Sequence, residues 1–118
     1  MTIEPHPRHC LSLALWFGLV AHVTGSVPTA EAADAATGRA KAKACQACHG
    51  IDGVAKQAHV PHIAGESEIY LIKQLKAFRD GERKDPQMSI MAKPLSDEDI
   101  ANLAAWYSSI KITVTVPE

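Results

Sequence analysis

The chain has 118 residues, 47% hydrophobic and 21% charged, with Lys+Arg 12 against Asp+Glu 13 and two each of Phe, Tyr and Trp. That length allows one compact domain, since single domains usually take about 100 to 150 residues. A formal charge of -1 supplies neither a basic field for nucleic acid nor an acidic tail, and seven Gly and seven Pro, scattered without period, exclude collagen, solenoid and disordered classes.

Residues 1–33 differ in composition from the rest and have the layout of a signal peptide. Arg8, with His6 and His9, makes a weakly basic start. The apolar run 11–23, broken by Ser12, Gly18 and His22, is shorter than the roughly 20 apolar residues that a membrane span needs. Ala30-Glu31-Ala32 fits an A-x-A cleavage site, which places the cut near Ala32 or Ala33 and removes Cys10 with the leader. The expectation is a periplasmic protein with no membrane span after cleavage. Glu4 is a departure from the usual basic region, and an N-terminal helical anchor is the alternative.

From residue 34 onward, 11 basic side chains face 11 acidic ones, and the large aromatics are Tyr70, Phe78, Trp106 and Tyr107. So small a chain with so few bulky side chains needs a staple: a disulfide, a metal or a cofactor. A first helix is expected from Asp34 or Thr37 to Lys43, rich in the helix formers Ala and Lys. Gly38 inside it costs about 1 kcal/mol relative to Ala, which points to close approach by another element.

The staple is written in Cys45-Gln46-Ala47-Cys48-His49. Two thiols three residues apart can each add to a vinyl group of a haem, and the adjacent imidazole then sits under the iron. The pattern predicts haem c, one per chain, attached through Cys45 and Cys48, with His49 as one axial ligand. Export agrees with it, because such attachment takes place outside the cytoplasm. Three other uses of the residues are weaker. A disulfide between Cys45 and Cys48 closes too small a loop to stabilise much. A thioredoxin-like pair lacks a βαβ context. A zinc site from Cys45, Cys48 and two of His49, His59 and His62 lacks the second paired ligand knuckle.

The segment 50–65 reads as a Gly- and Pro-containing connection where a cofactor could replace protein core, and it carries His59 and His62 as alternative iron ligands. The next helix opens near Ser67 and runs to Arg79, with Ile69, Ile72, Leu75 and Phe78 at helical spacing and Asp80-Gly81 as its stop. Lys73, Lys76 and Arg79 on it are either an ordinary solvated face or a local docking patch. A second connection, 83–95, carries Met88 and Met91, with Pro86 and Pro94 stiffening the backbone. Thioether sulfur favours ferrous iron and raises the reduction potential, so one of the two suits the second axial position; spacing alone does not choose between them. The last helix starts at Ser96, where Asp99 completes a capping box and Leu95 can staple against Ile100. Ile100, Leu103, Ala104, Tyr107 and Ile110 form its core face. Residues 112–116 alternate like an edge strand but stand alone, and 112–118 reads as an extended tail.

With these motifs in place, residues 38–110 resemble a class I c-type cytochrome of the small bacterial periplasmic kind, similar to one domain of the di-haem double-domain cytochromes. The resemblance implies an all-α fold of three main helices around one covalent haem, over a domain at 34–111. It implies that Pro61 offers its carbonyl to the ligating His49, a bond that would orient the ring and strengthen it as a donor. It also implies that Met88, seven residues before Leu95, is the iron ligand, with Met91 packing near the ring. Gly38 would meet Trp106 or Tyr107 where the first and last helices cross.

The expected function is one-electron, outer-sphere transfer between redox protein donors and acceptors through transient contacts, with no catalytic residues and no nucleic acid or membrane partner. The alternatives are a cytochrome subunit of a larger dehydrogenase or oxidase, and a haem enzyme or sensor with an open distal site.

Overall fold

The computed structural model describes residues 32–118; the expected leader, with Arg8, Cys10, the run 11–23 and Ala30-Glu31, lies outside the described residues. The elements are α1 (Ala35–Lys41), a 3-10 turn (Ala42–Ala44), α2 (Gln46–His49), α3 (Glu68–Asp80), α4 (Met88–Ala92) and α5 (Asp97–Ser109). The all-α expectation holds, with no strand among the described residues.

Local chemistry sets the ends of the helices. Asp34 accepts from the N–H groups of Ala36 and Thr37 at 3.1 and 2.8 Å and starts α1. Ser67 caps α3, and left-handed Gly81 ends it one residue beyond the expected Arg79. Both halves of the expected capping box at α5 form: Asp99 N–H donates to Ser96 Oγ and Ser96 N–H to Asp99 Oδ2, each at 3.0 Å. Helix α5 ends at Ser109, and after it Ile112, Val114 and Val116 are 60%, 74% and 79% exposed, so the alternating tail pairs with nothing in the fold.

The core forms where α5 lies across α1 and α3. Ile100, Leu103, Ala104 and Tyr107 are buried along one face of α5, as its spacing requires, and Ile110 is half-buried. On α3 the expected face is partly corrected. Leu71 and Phe78 are buried and Ile72 and Leu75 half-buried, whereas Ile69 is 81% exposed. At about 100° per residue, Ile69 stands roughly 200° round the helix from Leu71, so the two cannot share a face.

The α1–α5 crossing accounts for Gly38. A Cβ built there would lie 1.9 Å from the carbonyl oxygen of Asn102 and 3.0 Å from the Cβ of Trp106, so the nearest crossing partners are the Asn102 backbone and Trp106, the first of the two expected aromatics. Buried Asn102 ties the same crossing by accepting the Asp34 N–H at 2.7 Å.

Ion pairs decorate these contacts. Lys41 of α1 pairs with Asp99 of α5, and Asp97 of α5 takes both Lys76 at 2.9 Å and Arg79 at 2.6 Å from α3. Two of the three residues of the basic set on α3 thus have acidic partners, Asp97 for both and Asp80 for Arg79 as well. The partners hold several carboxylates below the usual range: Asp99 through Lys41 and the Ser96 N–H, Asp97 through Lys76 and Arg79, and Asp34 through Thr37 and the Ala36 N–H. A carboxylate whose pKa is lower folded than unfolded adds stability above the unfolded value of about 4, and that stability is lost as pH falls through the folded value. The melting temperature of the haem-loaded protein is therefore expected to be level from about pH 6 to pH 5 and to fall steadily below about pH 4. A melting temperature unchanged from pH 5 to pH 2 would contradict this electrostatic account.

Candidate haem-binding site

Cys45 terminates the 3-10 turn and Cys48 and His49 lie in α2, one turn on. The N–H groups of Cys48 and His49 both reach the Cys45 carbonyl, at 3.3 and 3.0 Å, so the two thiols and the imidazole ride on a single helical turn. Both cysteines are free thiols of intermediate exposure. Burial pushes the Cys45 thiol up, reinforced by the neighbouring Cys48. Cys48 Sγ accepts a contact from Gln57 Nε2 at 3.6 Å.

His49 is buried, and its Nδ1 lies 3.0 Å from the carbonyl oxygen of Pro61. A carbonyl only accepts, so Nδ1 carries the proton, and in the neutral ring Nε2 is then the nitrogen with the lone pair. The imidazole is thereby fixed in the tautomer that a metal ligand needs.

The last helix anchors the segment that follows. Trp106 Nε1 donates to the Ile51 carbonyl at 3.0 Å, Tyr107 Oη to the Gly50 carbonyl at 3.2 Å, and the Gly65 N–H to the Tyr107 carbonyl at 2.8 Å. Burial pushes the Tyr107 hydroxyl far up, so it stays a donor. Within the segment, Gly53 (φ 71°) brings its carbonyl to the N–H groups of Ile63 and Ala64, at 2.8 and 3.1 Å, and Ala64 N comes within 2.6 Å of where a Cβ would be. Only glycine combines that backbone with that approach. This closure sets Pro61 opposite His49.

His62, weighed as an iron ligand, has its Nδ1 taken by the Ala55 N–H at 2.8 Å, a second brace on the segment that carries Pro61. His59 is exposed. Among the described residues no three His, Cys, Asp or Glu side chains gather as metal ligands, which removes support from the zinc alternative.

The connection 83–95 departs from expectation by forming α4. Met88 is its first residue and Met91 lies one turn on, both half-buried, and α4 packs on α3. The turn before it is closed by Asp85, whose Oδ1 accepts from the N–H groups of Gln87 and Met88 at 2.9 and 2.8 Å. These bonds, that of Met88 first, hold Asp85 below the usual carboxylate range, with the positive charge of Arg83 adding to the effect. Asp85-Pro86 is a start signal that sequence reading missed: an acid whose side chain takes the N–H groups two and three residues on, followed by a proline that fixes the turn leading into α4. The two anchors Trp106 and Tyr107 were assigned to packing alone, because nothing in their spacing shows which backbone carbonyls they reach.

Residues 35–111 match the family described as cytochrome c. The chain belongs to the cytochrome c family. It is similar to cytochrome c4 of Pseudomonas aeruginosa, 42% identical over 106 residues that make up 88% of this chain and 49% of that protein. It is also similar to cytochrome c-554(548) of Halomonas halodenitrificans, 49% identical over 81 residues, which cover 66% of this chain and 98% of that protein. The crystal structure of reduced recombinant cytochrome c4 from Pseudomonas stutzeri aligns with a TM-score of 0.65 at 40% identity, over 70% of this chain and 48% of that one. The chain spans about half the length of the cytochrome c4 relatives and nearly all of the Halomonas protein.

Covalently bound haem c is therefore the cofactor of this cytochrome c, and Cys45 and Cys48 form the paired motif with His49. The residues fit it: two unpaired thiols on one turn, an imidazole nitrogen left with its lone pair, and soft neutral thioethers on a separate short helix. No helix among the described residues is long and apolar enough to cross a membrane.

Proposed function

We propose that this cytochrome c is an exported, periplasmic, mono-haem electron carrier that passes single electrons between redox proteins and is not itself an enzyme. The observation that carries the reading is the 3.0 Å bond from His49 Nδ1 to the Pro61 carbonyl directly beside the paired thiols. When bound, the haem supplies a one-electron iron couple. Cys45 and Cys48 would hold it through thioethers, and His49 and Met88 would ligate its iron. Pro61 keeps the His49 ring in one orientation in both oxidation states, and the Trp106 and Tyr107 anchors keep the Pro61 segment in place. A rigid ligand set of this kind lowers the rearrangement that accompanies each electron transfer. Residues 1–33 would act as the signal peptide, leaving 34–111 as the cytochrome domain and 112–118 as its tail. Neutral overall charge and paired surface lysines suit brief contacts with several partners better than one strongly steered encounter.

The test is the optical spectrum of the exported protein, oxidised and reduced. Sharp c-type bands together with the weak near-infrared band of methionine sulfur on ferric iron are the expected result. Haem bands without that feature, or ready carbon monoxide binding by the untreated ferrous protein, would replace the carrier with a sensor or enzyme. Recovery with a catalytic chain at stoichiometric yield would make it a dehydrogenase subunit.

A further inference from the structure

Asp85 is the most heavily bonded residue of the connection 83–95, yet it is exposed. Besides receiving the Gln87 and Met88 N–H groups, it donates its own N–H to Ser89 Oγ at 3.2 Å, and its carbonyl accepts the Ser89 N–H at 2.9 Å. Four hydrogen bonds converge on it, and one ends on the backbone of Met88. Helix α4 has only five residues, far below the about 12 at which a helix begins to hold itself in water, so its start depends on what is bonded at its head. Pro86 supplies a fixed φ at the next position but no bond to Met88. Resting on the His49 and Met88 ligand reading, we infer that Asp85 is a positioning residue for the axial methionine. Its carboxylate fixes the turn from which Met88 is presented, acting through the Met88 backbone without touching the haem. A loosened turn lets the thioether leave the iron more often, and an external ligand then competes for the vacated position.

The experiment uses the ferric, haem-loaded protein titrated with imidazole, with the near-infrared sulfur band recorded alongside. Asp85→Ala is expected to bind imidazole about tenfold more tightly than the wild type, the factor that corresponds to a lost cap of about 1.4 kcal/mol, and to lose part of the band. Asp85→Asn keeps an acceptor oxygen in place and is expected to stay near the wild type. Asp34→Ala removes the comparable cap of α1 and should lower the melting temperature while leaving imidazole affinity unchanged. Wild-type affinity and a full band in Asp85→Ala overturn the inference, and so does an equal gain of affinity in Asp34→Ala, which would mark the effect as general loosening. If Asp85→Ala does not accumulate with haem, Asp85→Glu carries the test. It keeps the charge, moves the acceptor by one methylene, and must bind imidazole more tightly than the wild type. A wild-type protein that lacks the sulfur band overturns the methionine reading and this inference with it, whereas a wild type with the band and an unaltered Asp85→Ala overturns the inference alone.

Discussion

Gly38→Ala is expected to lower the stability of the folded, haem-loaded protein by about 3 kcal/mol or more, the upper end of ordinary overpacking. Helix propensity acts in the opposite direction, since alanine in α1 is worth about 1 kcal/mol over glycine. The contact decides the sign: the new methyl would sit 1.9 Å from the Asn102 carbonyl oxygen, and a backbone atom cannot swing aside as the end of a side chain can. Helix α1 would have to back away from α5, losing the Asp34 to Asn102 bond and straining the adjoining turn that holds Cys45. For a domain of this size the melting temperature should fall by roughly 12 to 24 °C. Ala40→Gly, at an exposed position of the same helix, should cost only about 1 kcal/mol. Equal melting temperatures for the Gly38→Ala and wild-type proteins would mean that the two helices can slide past each other freely, against the crossing described above.

Met88→Ala is expected to have the largest effect on redox behaviour. Removal of the thioether opens the sixth position, abolishes the near-infrared sulfur band, admits carbon monoxide to the ferrous form and lowers the reduction potential. The shift should be on the order of 100 mV or more, within the roughly 0.8 V range that axial ligands span. Met91→Ala should keep the band and the potential and lose about 1 to 2 kcal/mol of stability, less than a fully buried methionine would cost because Met91 is only half-buried. Both residues lie on α4, so a general loosening of that helix would affect the two variants alike, and the contrast between them isolates the ligand. Loss of the band in Met91→Ala with its retention in Met88→Ala would transfer the ligand role to Met91.

The parts of the fold that were readable from sequence are those governed by local chemistry. The box of Ser96 and Asp99, the stop at Gly81 and the buried face of α5 follow from neighbours within a few residues, and each formed as expected. The paired cysteines with His49 were readable because the chemistry itself demands that spacing. Helix α4 was passed over because five residues are too few for periodicity to register, although Asp85-Pro86 announced it. On α3, Ile69 was placed inward because a three-residue step and a four-residue step both pass as helical, and only the burial of Leu71 separates them. The pairing of Asp97 with Lys76 and Arg79, and the carbonyls reached by Trp106 and Tyr107, join residues 18 to 57 positions apart. No local pattern contains such information.

Those distant anchors also bear on the order in which the molecule can be assembled. The bonds that close the segment beyond the paired cysteines come from Trp106 and Tyr107, 55 and 57 residues downstream of their acceptors, and the Asn102 bond to Asp34 spans 68. Contacts so far apart in sequence form only after the entropy of closing the intervening loop has been overcome, whereas the bonds of Gly53 to Ile63 and Ala64 close locally. Docking of α5 is therefore the late step in folding, and it closes over a turn at Cys45 to His49 whose own bonds span only three or four residues.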